Sequence, residues 1–407
     1  MNFKKKIAIV GGGVAAMMLA SELNNELFDI NIFEKGSSIG KKFLVAGKGG
    51  FNLTHSEPLE TFVTRYEPSS FLRTYLERFS NQDLRNWLGD IGISTIVGSS
   101  KKVYPIKGIR PNQVLEAIKN KLSKNRVKIH YKHELIDILS ESSLLFITKN
   151  STKTIMSDIV VFAMGGASWK VTGSDGKWLQ ILNKAGVKTK DFEPSNCAFR
   201  VNWDNDFLLR NEGKPLKNIA TRINEKYIKG ELMITKFGLE GGAIYAMSSK
   251  LRKELKKNNT SSLYIDLKPT NSIEMIEKNI KRLSSRLSIT KILKEYIKLD
   301  KTKIDLIKKY ISKEEFKNTK TLSDKIKNMR IDVTGIADID EAISTVGGIS
   351  LDAVDKNLKI KSLPFHYAIG EMLDWDAPTG GYLLQASFSM GYYLAKHLND
   401  LNDLNIA

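Results

Sequence analysis

Hydrophobic residues near the N-terminus occur in short runs that alternate with segments of helical periodicity. Lys6–Val10 and Asp29–Phe33 predict strands, and Gly13–Asn25 between them predicts a helix. Helical patterns return at 68–91 and 111–124. Further strand-like runs follow at Val127–Tyr131, Leu135–Ile138, Leu144–Thr148 and Ile159–Ala163. The alternation predicts an α/β fold with a parallel sheet, and the closely spaced strands predict an antiparallel appendage.

The pattern changes twice in the second half of the chain. Short strand-like segments with Gly and Pro give way to apolar residues at helical spacing, and the chain closes with a helix at Tyr382–Leu398. Candidate N-caps of the helical stretch are Asn271 or Ser272, Ser288 and Thr321. The expected domains are a discontinuous one at 1–190 plus 331–407, a β-rich insertion at 191–270 and a basic helical subdomain at 271–330.

Charge is unevenly distributed along the 407 residues, whose formal net charge is +18. Residues 250–330 hold 23 Lys and Arg against 10 Asp and Glu, and therefore carry most of the excess. A surface for nucleic acid or an anionic substrate would account for this stretch, as would the solvated faces of a small helical subdomain. The second interpretation is favoured, because no helix-turn-helix, zinc-finger or RNA-binding signature accompanies the charge.

Composition excludes several classes of protein. Apolar runs stay far below the roughly 20 residues that cross a bilayer, so no membrane segment is expected. The single cysteine, Cys197, rules out an intramolecular disulfide, a CxxC redox pair and a four-thiolate metal site. The N-terminal apolar run is too short for a signal peptide, so the cytoplasm is the expected compartment.

A nucleotide-binding fingerprint follows the first strand. Gly11, Gly13 and Ala16 fit the pattern G-x-G-x-x-G/A, in which glycines allow a tight turn and a close backbone approach to a pyrophosphate. The phosphates would lie at the helix N-terminus, where free N–H groups and the helix dipole favour an anion. Glu34, at the end of the second strand, could accept hydrogen bonds from a ribose and would repel a 2′-phosphate. The pattern predicts a dinucleotide site that does not bind NADP.

Two later segments favour FAD over NAD. Ser157–Gly166 reads as a buried strand that ends in a small-residue turn containing Gly165, which can pass close to a cofactor. Tyr367–Tyr393 contains Gly370-Glu371 and then Thr379-Gly380-Gly381 before a helix. An acid near a ribityl hydroxyl and a helix N-terminus at the flavin pyrimidine would suit FAD, because negative charge builds there on reduction.

These motifs resemble the YhiN/BaiN-type flavoproteins, an aminoacetone-oxidase-like family of NAD(P)/FAD-dependent oxidoreductases. The resemblance covers nearly the whole chain and is carried by GKKFLVAGKGGFNLTHSEP (Gly40–Pro58), AMGGASWKVTGSDGKW (Ala163–Trp178) and the C-terminal GEMLDWDAPTGGYLLQASF. It implies a Rossmann-like FAD-binding domain of the two-dinucleotide-binding-domains type, with an inserted β-rich domain and a small helical domain. It also implies non-covalently bound FAD and oxidoreductase activity.

The motifs and this resemblance together give a set of expected cofactor contacts. They are Gly11, Gly13, Val14, Ala15, Ala16, Glu34, Lys35, Lys42, Gly47, Asn52, Gly165, Gly370, Glu371, Gly381, Tyr382 and Leu383. Leu383 departs from the Asn of many family members, and Lys236 departs from a commoner His, so a relative's substrate does not transfer directly.

The chemistry expected is hydride transfer between FAD and a small organic substrate, with NAD(P)H as an alternative, transient electron donor. His55, which follows the flavin-side loop, is the candidate base, with a structural role as the alternative. No metal site is expected, and Trp169, Lys236 and Tyr245 are candidates for bordering the substrate. A flavoprotein that acts on or binds nucleic acid and a non-catalytic flavin-binding sensor remain alternatives, and the oligomeric state is open.

Overall fold

The computed structural model describes residues 4–45 and 50–403. It divides into two compact units, of which the first comprises residues 1–193 and 344–407 and the second comprises residues 194–343. The first unit thus combines both ends of the chain. The second boundary of this unit lies at 343/344, and the strand Met329–Val333 pairs within the second unit. The assignment of three domains stays a prediction.

A five-stranded parallel sheet forms the centre of the first unit. Its strands are β1 (Lys5–Val10), β2 (Phe28–Glu34), β6 (Lys128–Tyr131), β10 (Ile159–Phe162) and β20 (His366–Ala368), in the order β20-β10-β1-β2-β6. The residues of β10 are all buried, as expected of a parallel strand covered on both faces. Because β20 pairs with β10, the C-terminal part of the chain completes this sheet. The predicted α/β fold with a parallel sheet is confirmed.

Helices surround the sheet of the first unit. They are α1 (Val14–Glu22), α2 (Lys41–Val45), α3 (Leu59–Val63), α4 (Ser69–Arg78), α5 (Asn81–Asp90), α6 (Pro111–Lys124), α7 (Trp178–Lys184) and α16 (Tyr382–Asp403). α1 and α16 pack so closely that a Cβ at Gly391 would lie 2.5 Å from the backbone oxygen of Ala15. Only glycine allows this crossing, which brings the last helix against the first.

Smaller sheets complete the first unit. They are β3 (Thr54–His55), β4 (Thr95–Val97) and β5 (Lys102–Pro105), then β7 (Glu134–Ser140), β8 (Ser143–Ile147) and β9 (Thr152–Met156), and the pair β11 (Thr189–Ser195) and β19 (Ser344–Ile349). The predicted antiparallel appendage corresponds to β7-β8-β9. Short 3-10 helices lie at Lys170–Thr172, Leu351–Ala353 and Gly370–Met372.

The second unit is built on a seven-stranded sheet, whose strand pairs are antiparallel. Its strands are β12 (Phe199–Arg200), β13 (Pro215–Ile223), β14 (Lys226–Thr235), β15 (Gly238–Glu240), β16 (Ser261–Asp266), β17 (Met329–Val333) and β18 (Gly335–Ile336), in the order β17-β16-β13-β14-β15-β12-β18. Its helices are α8 (Asn205–Asn211), α9 (Gly242–Tyr245), α10 (Ser248–Asn258), α11 (Ile273–Leu283), α12 (Ile289–Glu295), α13 (Lys301–Tyr310), α14 (Lys313–Lys317) and α15 (Thr319–Lys327), with a 3-10 helix at Ile339–Glu341. The unit has its own apolar core, which includes Leu263, Ile280 and Ile292.

The basic stretch folds into the predicted helices with one capping error. Ser272 and Ser288 cap α11 and α12, where their side chains accept the N–H groups of residues three positions later. The prediction for Thr321 is wrong, because α15 begins after Asn318, whose side chain accepts the N–H of Thr321. Within the part of the chain that the structure describes, no helix combines the length and apolarity needed to cross a bilayer.

Candidate cofactor site

The turn between β1 and α1 is shaped by two glycines with different roles. Gly11 has φ +101°, and a Cβ there would lie 2.4 Å from the carbonyl oxygen of Ala163 at the end of β10. Gly13 has an ordinary φ of −80° and caps α1. Among the described residues, a Cβ at Gly13 would meet the Ala163 oxygen alone within 4 Å, at 3.9 Å. Gly11 is therefore required by the fold itself, whereas Gly13 leaves an open approach to the helix.

The N-terminus of α1 has the properties of an anion site. No side chain in the described part of the chain caps it, and its first turn contains no acidic residue. The first N–H groups of a helix lack partners within the helix, and the dipole is positive at this end. Ala15 and Ala16 are buried against the sheet and α16, so this end is rigidly held. A diphosphate would fit here through backbone donors alone.

Glu34 lies at the end of β2 beside this turn. One carboxylate oxygen accepts the N–H of Gly12 at 2.8 Å, and the other accepts the N–H of Gly36 at 2.6 Å. A carboxylate has about four acceptor positions, so two bonds leave room for a ribose hydroxyl. Glu34 thus fixes the shape of the glycine turn, and the predicted ribose contact stays a prediction. Its neighbour Lys35 pairs with Asp175 at 2.7 Å.

Three distant segments of the first unit meet at Lys42. Its Nζ lies 2.9 Å from Glu371 Oε2 and 3.0 Å from Ser168 Oγ. Gly370, with φ +79°, packs so that a Cβ would lie 3.1 Å from the Cβ of Ala15. Helix α2 with Lys42, the turn after β10 and the Gly370-Glu371 segment therefore converge beside the start of α1. This convergence is the main geometrical feature of the candidate site.

The start of α16 is clamped to the loop around β3. Gly381 has φ +98°, and a Cβ there would lie 2.5 Å from the Cα of Thr54. The hydroxyl of Tyr382 donates to Glu57 Oε1 at 2.8 Å, and the hydroxyl of Tyr66 donates to the carbonyl of Tyr382 at 2.8 Å. The direction in which α16 begins is therefore set by the packed loop, which the glycine pair allows to approach.

Glu57, Arg65 and Tyr382 form a hydrogen-bonded cluster, called the clamp below. Glu57 is its buried, ionised carboxylate. Arg65 donates to it twice, from Nε at 3.0 Å and from a terminal nitrogen at 2.8 Å. Burial alone would raise the pKa of Glu57, but the hydrogen bonds from Arg65 and Tyr382 lower it below its usual value. Burial and the bond to Glu57 raise the pKa of Tyr382, so its hydroxyl keeps its proton and acts as a donor.

His55 belongs to the same cluster. Its ring stacks on Tyr382, with centroids 5.4 Å apart and planes 23° apart. Its Nδ1 accepts the backbone N–H of Glu57 at 3.3 Å, which places the proton of the neutral ring on Nε2. Burial is the largest influence and lowers the pKa of His55, against the attraction of the Glu57 carboxylate. A neutral ring held in this way suits a packing and hydrogen-bonding role, while its role as a base stays a prediction.

The remaining candidates divide between the two units. Asn52 and Leu383 are half-buried in the first unit, Gly165 accepts a hydrogen bond from the indole of Trp178 at 2.9 Å, and Gly47 lies outside the described residues. In the second unit, burial first and then Glu240 raise the pKa of Tyr245 to about 12. Within the described residues, no group of three or more metal-ligating side chains occurs.

Sequence reasoning missed the residues that organise the clamp. Arg65 and Tyr66 match no cofactor pattern, and Glu57 lies in the segment Gly40–Pro58 but received no role there. The bonds of Glu57 and Tyr66 to Tyr382 span more than 300 positions. Ser168 lies within the quoted segment Ala163–Trp178, just after Gly165, but was not named as a site residue.

A parallel sheet whose first strand passes through a glycine turn into a helix defines a Rossmann-type fold. The chain belongs to the family described as HI0933-like protein Rossmann domain, which it matches over residues 5–397. This confirms the family resemblance seen in the sequence.

Two curated relatives match along almost their whole length. The chain is 24% identical to a ribosomal RNA dihydrouridine synthase of Haemophilus influenzae, with 95% of this chain and 96% of the relative covered. It is 23% identical to a 3-dehydro-bile acid delta(4,6)-reductase of Clostridium scindens, with 95% and 97% covered. Among solved structures, it resembles 3-ketosteroid delta1-dehydrogenase of Sterolibacterium denitrificans, with TM-score 0.52, 12% identity and 98% and 100% of the two chains covered. That likeness concerns the fold alone.

Proposed function

We propose that the protein is an oxidoreductase that binds FAD non-covalently in its first unit and reduces a carbon–carbon double bond next to a carbonyl group. The convergence of Lys42, Glu371 and the start of α1 carries this proposal. It places a cation, an acid and an open helix N-terminus within one unit, as a flavin dinucleotide requires. FAD would supply the hydride.

The direction of the reaction is inferred from the two curated relatives. Dihydrouridine differs from uridine by two hydrogens on a double bond next to a ring carbonyl, and the name of the first relative states that product. The second relative is named for reducing delta-4 and delta-6 double bonds of a 3-dehydro bile acid, which are conjugated with its 3-oxo group. The same bond type in two otherwise different substrates favours a shared reduction, in which hydride goes to one carbon and a proton to the other.

The geometry supports a proposed role for each of several residues. The α1 N-terminus and Gly13 would hold the diphosphate, and Glu34 would accept from the adenosine ribose. Lys42 and Glu371 would contact the ribityl and flavin region. The clamp of Glu57, Arg65 and Tyr382 would hold the start of α16 in a fixed direction.

The substrate is either a small organic molecule or a base within RNA. A small molecule is supported by the bile acid reductase, and RNA by the rRNA dihydrouridine synthase together with the basic stretch 250–330. We take the small conjugated carbonyl compound as the first candidate and the uracil base of an RNA as the second.

The experiment begins with the absorption of the purified protein, which should show flavin bands near about 370 and 450 nm and release FAD on denaturation. The FAD-loaded protein is then reduced without oxygen by NADH and by NADPH in separate samples. Reoxidation by a 3-oxo-delta4-steroid or by uracil-containing RNA, with a mass gain of two hydrogens in the product, would support the proposal. A colourless protein that takes up no FAD would refute it. A reduced flavin that no acceptor reoxidises would identify a non-catalytic sensor.

A further inference from the structure

A row of four planar side chains crosses the sheet of the second unit. Arg222 on β13 is directly opposite Tyr227 on β14 and also directly opposite Tyr264 on β16. Tyr264 is in turn directly opposite Arg330 on β17. Residues opposite each other on adjacent strands point to the same face, with strands about 4.8 Å apart. The sequence Tyr-Arg-Tyr-Arg therefore runs perpendicular to four neighbouring strands.

This row lies on the outer face of the sheet. The residues that alternate with it, such as Ile223, Leu263 and Ile331, are buried in the core of the second unit. Tyr227 is 45% exposed, and the side chain of Arg330 is 57% exposed. Tyr227 therefore exposes its ring on this face, while Arg330 Nε donates to Asp332 Oδ1 at 2.9 Å and Arg222 and Tyr264 are half-buried.

The row borders a cavity of about 400 Å³. Arg222, Tyr227 and Tyr264 line it together with Lys327 and two carboxylates, Asp266 and Glu274. The guanidinium carbon of Arg222 lies 4.5 Å from the centre of the Tyr264 ring, which orders both planes. Lys327 is held by Asp266 at 2.7 Å, so the cavity wall is fixed by an ion pair.

We propose that this row and cavity bind single-stranded RNA, with bases stacking on the tyrosine and guanidinium planes and phosphates contacting the arginines. Unpaired bases present flat faces that stack on Tyr and Arg, whereas a duplex hides them. The surrounding stretch 250–330, with 23 Lys and Arg against 10 Asp and Glu, supplies long-range attraction for a polyanion. An acidic protein would be attracted by the same charge but would gain nothing from the row of planes.

The inference goes beyond the first candidate substrate, because an enzyme for a free small molecule needs no such surface. It deepens the second candidate, an RNA, and in that respect rests on the proposed function. It also stands apart experimentally: RNA binding can be measured whether or not the flavin is reduced. A protein that binds RNA but does not reduce the proposed substrates would refute the proposed function and leave this inference intact. A protein that catalyses the reduction but binds no RNA would refute this inference alone.

The test measures the affinity of the full chain for a labelled 12-nucleotide oligouridylate and for a 12-base-pair RNA duplex by fluorescence anisotropy. Tyr227→Ala should weaken binding of the single strand about fivefold or more, and Tyr227→Phe should retain it. The matched control is Tyr296→Ala, which removes an equally exposed tyrosine from the basic stretch, outside the sheet, and should bind as the unchanged protein does.

The salt dependence of RNA affinity distinguishes the contribution of base stacking from that of charge. Arg330→Gln should lower the slope of log affinity against log salt by about one, while Tyr227→Ala should lower the affinity and leave the slope unchanged. Tyr264→Leu is a second stacking variant, and its thermal unfolding is measured because Tyr264 is half-buried. Equal affinity for duplex and single strand, or an equal loss in Tyr296→Ala, would overturn the proposal, as would the absence of binding at 100 mM salt, a condition of about 10 Å screening length.

Discussion

Lys42 Nζ and Glu371 Oε2 lie 2.9 Å apart although 329 positions separate them in the chain. The pair is half-buried, and Ser168 Oγ also contacts the lysine. It therefore joins the two ends of the chain at the place where the flavin is proposed to bind.

Lys42→Met should weaken FAD binding about tenfold, because a hydrogen bond from a charged donor contributes about 1.5–3 kcal/mol. Glu371→Gln should weaken it less, since an amide can still accept and donate. The measurement is the quenching of FAD fluorescence during titration of apoprotein. Lys188→Met, which removes an exposed pair with Asp352 in the same unit, is the control and should leave FAD affinity unchanged. Equal losses in Lys42→Met and Lys188→Met would show that the pair has no special role.

Substitutions of the two glycines in the β1–α1 turn should have different effects, one on FAD binding and the other on stability. Gly13→Val should fold normally, because its backbone φ is ordinary and the protein leaves space there, yet it should not retain FAD. Gly11→Ala should lower the free energy of unfolding, because its Cβ would meet the Ala163 oxygen at 2.4 Å and its φ is +101°. Flavin content and urea unfolding of both variants check this. Gly89→Ala on α5, which meets nothing within 4 Å, is the control. Normal FAD content in Gly13→Val would mean that the diphosphate lies elsewhere.

Local sequence predicted the parts of the site that depend on neighbouring residues. The β1–Gly11–α1 unit needs only a strand, glycines and a helix in succession, so it could be predicted directly. The Glu57–Arg65–Tyr382 clamp could not, because its partners meet through tertiary packing and each residue type is ordinary at its position. The cap at Asn318 was missed for a local reason: Asn318 and Thr321 are both good capping residues, three positions apart.

Arg65→Met should lower the free energy of unfolding by about 2 kcal/mol. The substitution leaves the carboxylate of Glu57 buried and without its cation. Such a loss costs about 3–5 kcal/mol in a fully buried pair. The Arg65 side chain is 41% exposed, so the cost here is smaller. The double variant Arg65→Met, Glu57→Gln should recover part of the loss, because the stranded charge is removed. Urea unfolding of the single and double variants measures this coupling. Additive effects of the two changes would contradict it.

The clamp also predicts how stability depends on pH. Glu57 has a pKa below its usual 4.5 in the folded protein, so its stabilising contribution is present above about 4.5 and is lost as pH falls through the folded value. Burial is the main cause that lowers the pKa of His55 below 6.5, so the unfolded chain binds this proton more readily. His55 therefore makes the fold less stable as pH falls below about 6.5, in a window above that of Glu57.

His55→Gln should flatten the decline in stability as pH falls below about 6.5, by up to about 1.4 kcal/mol per pH unit, the value for one proton. Glu57→Gln should leave that window unchanged and act only at lower pH. Urea unfolding at half-unit steps of pH measures both. His55→Gln could instead leave the decline of stability with falling pH unchanged and abolish the pH dependence of flavin reoxidation. That result would indicate that His55 acts as a catalytic base. The stacked ring on Tyr382 would in that case position a proton carrier in addition to packing the start of α16.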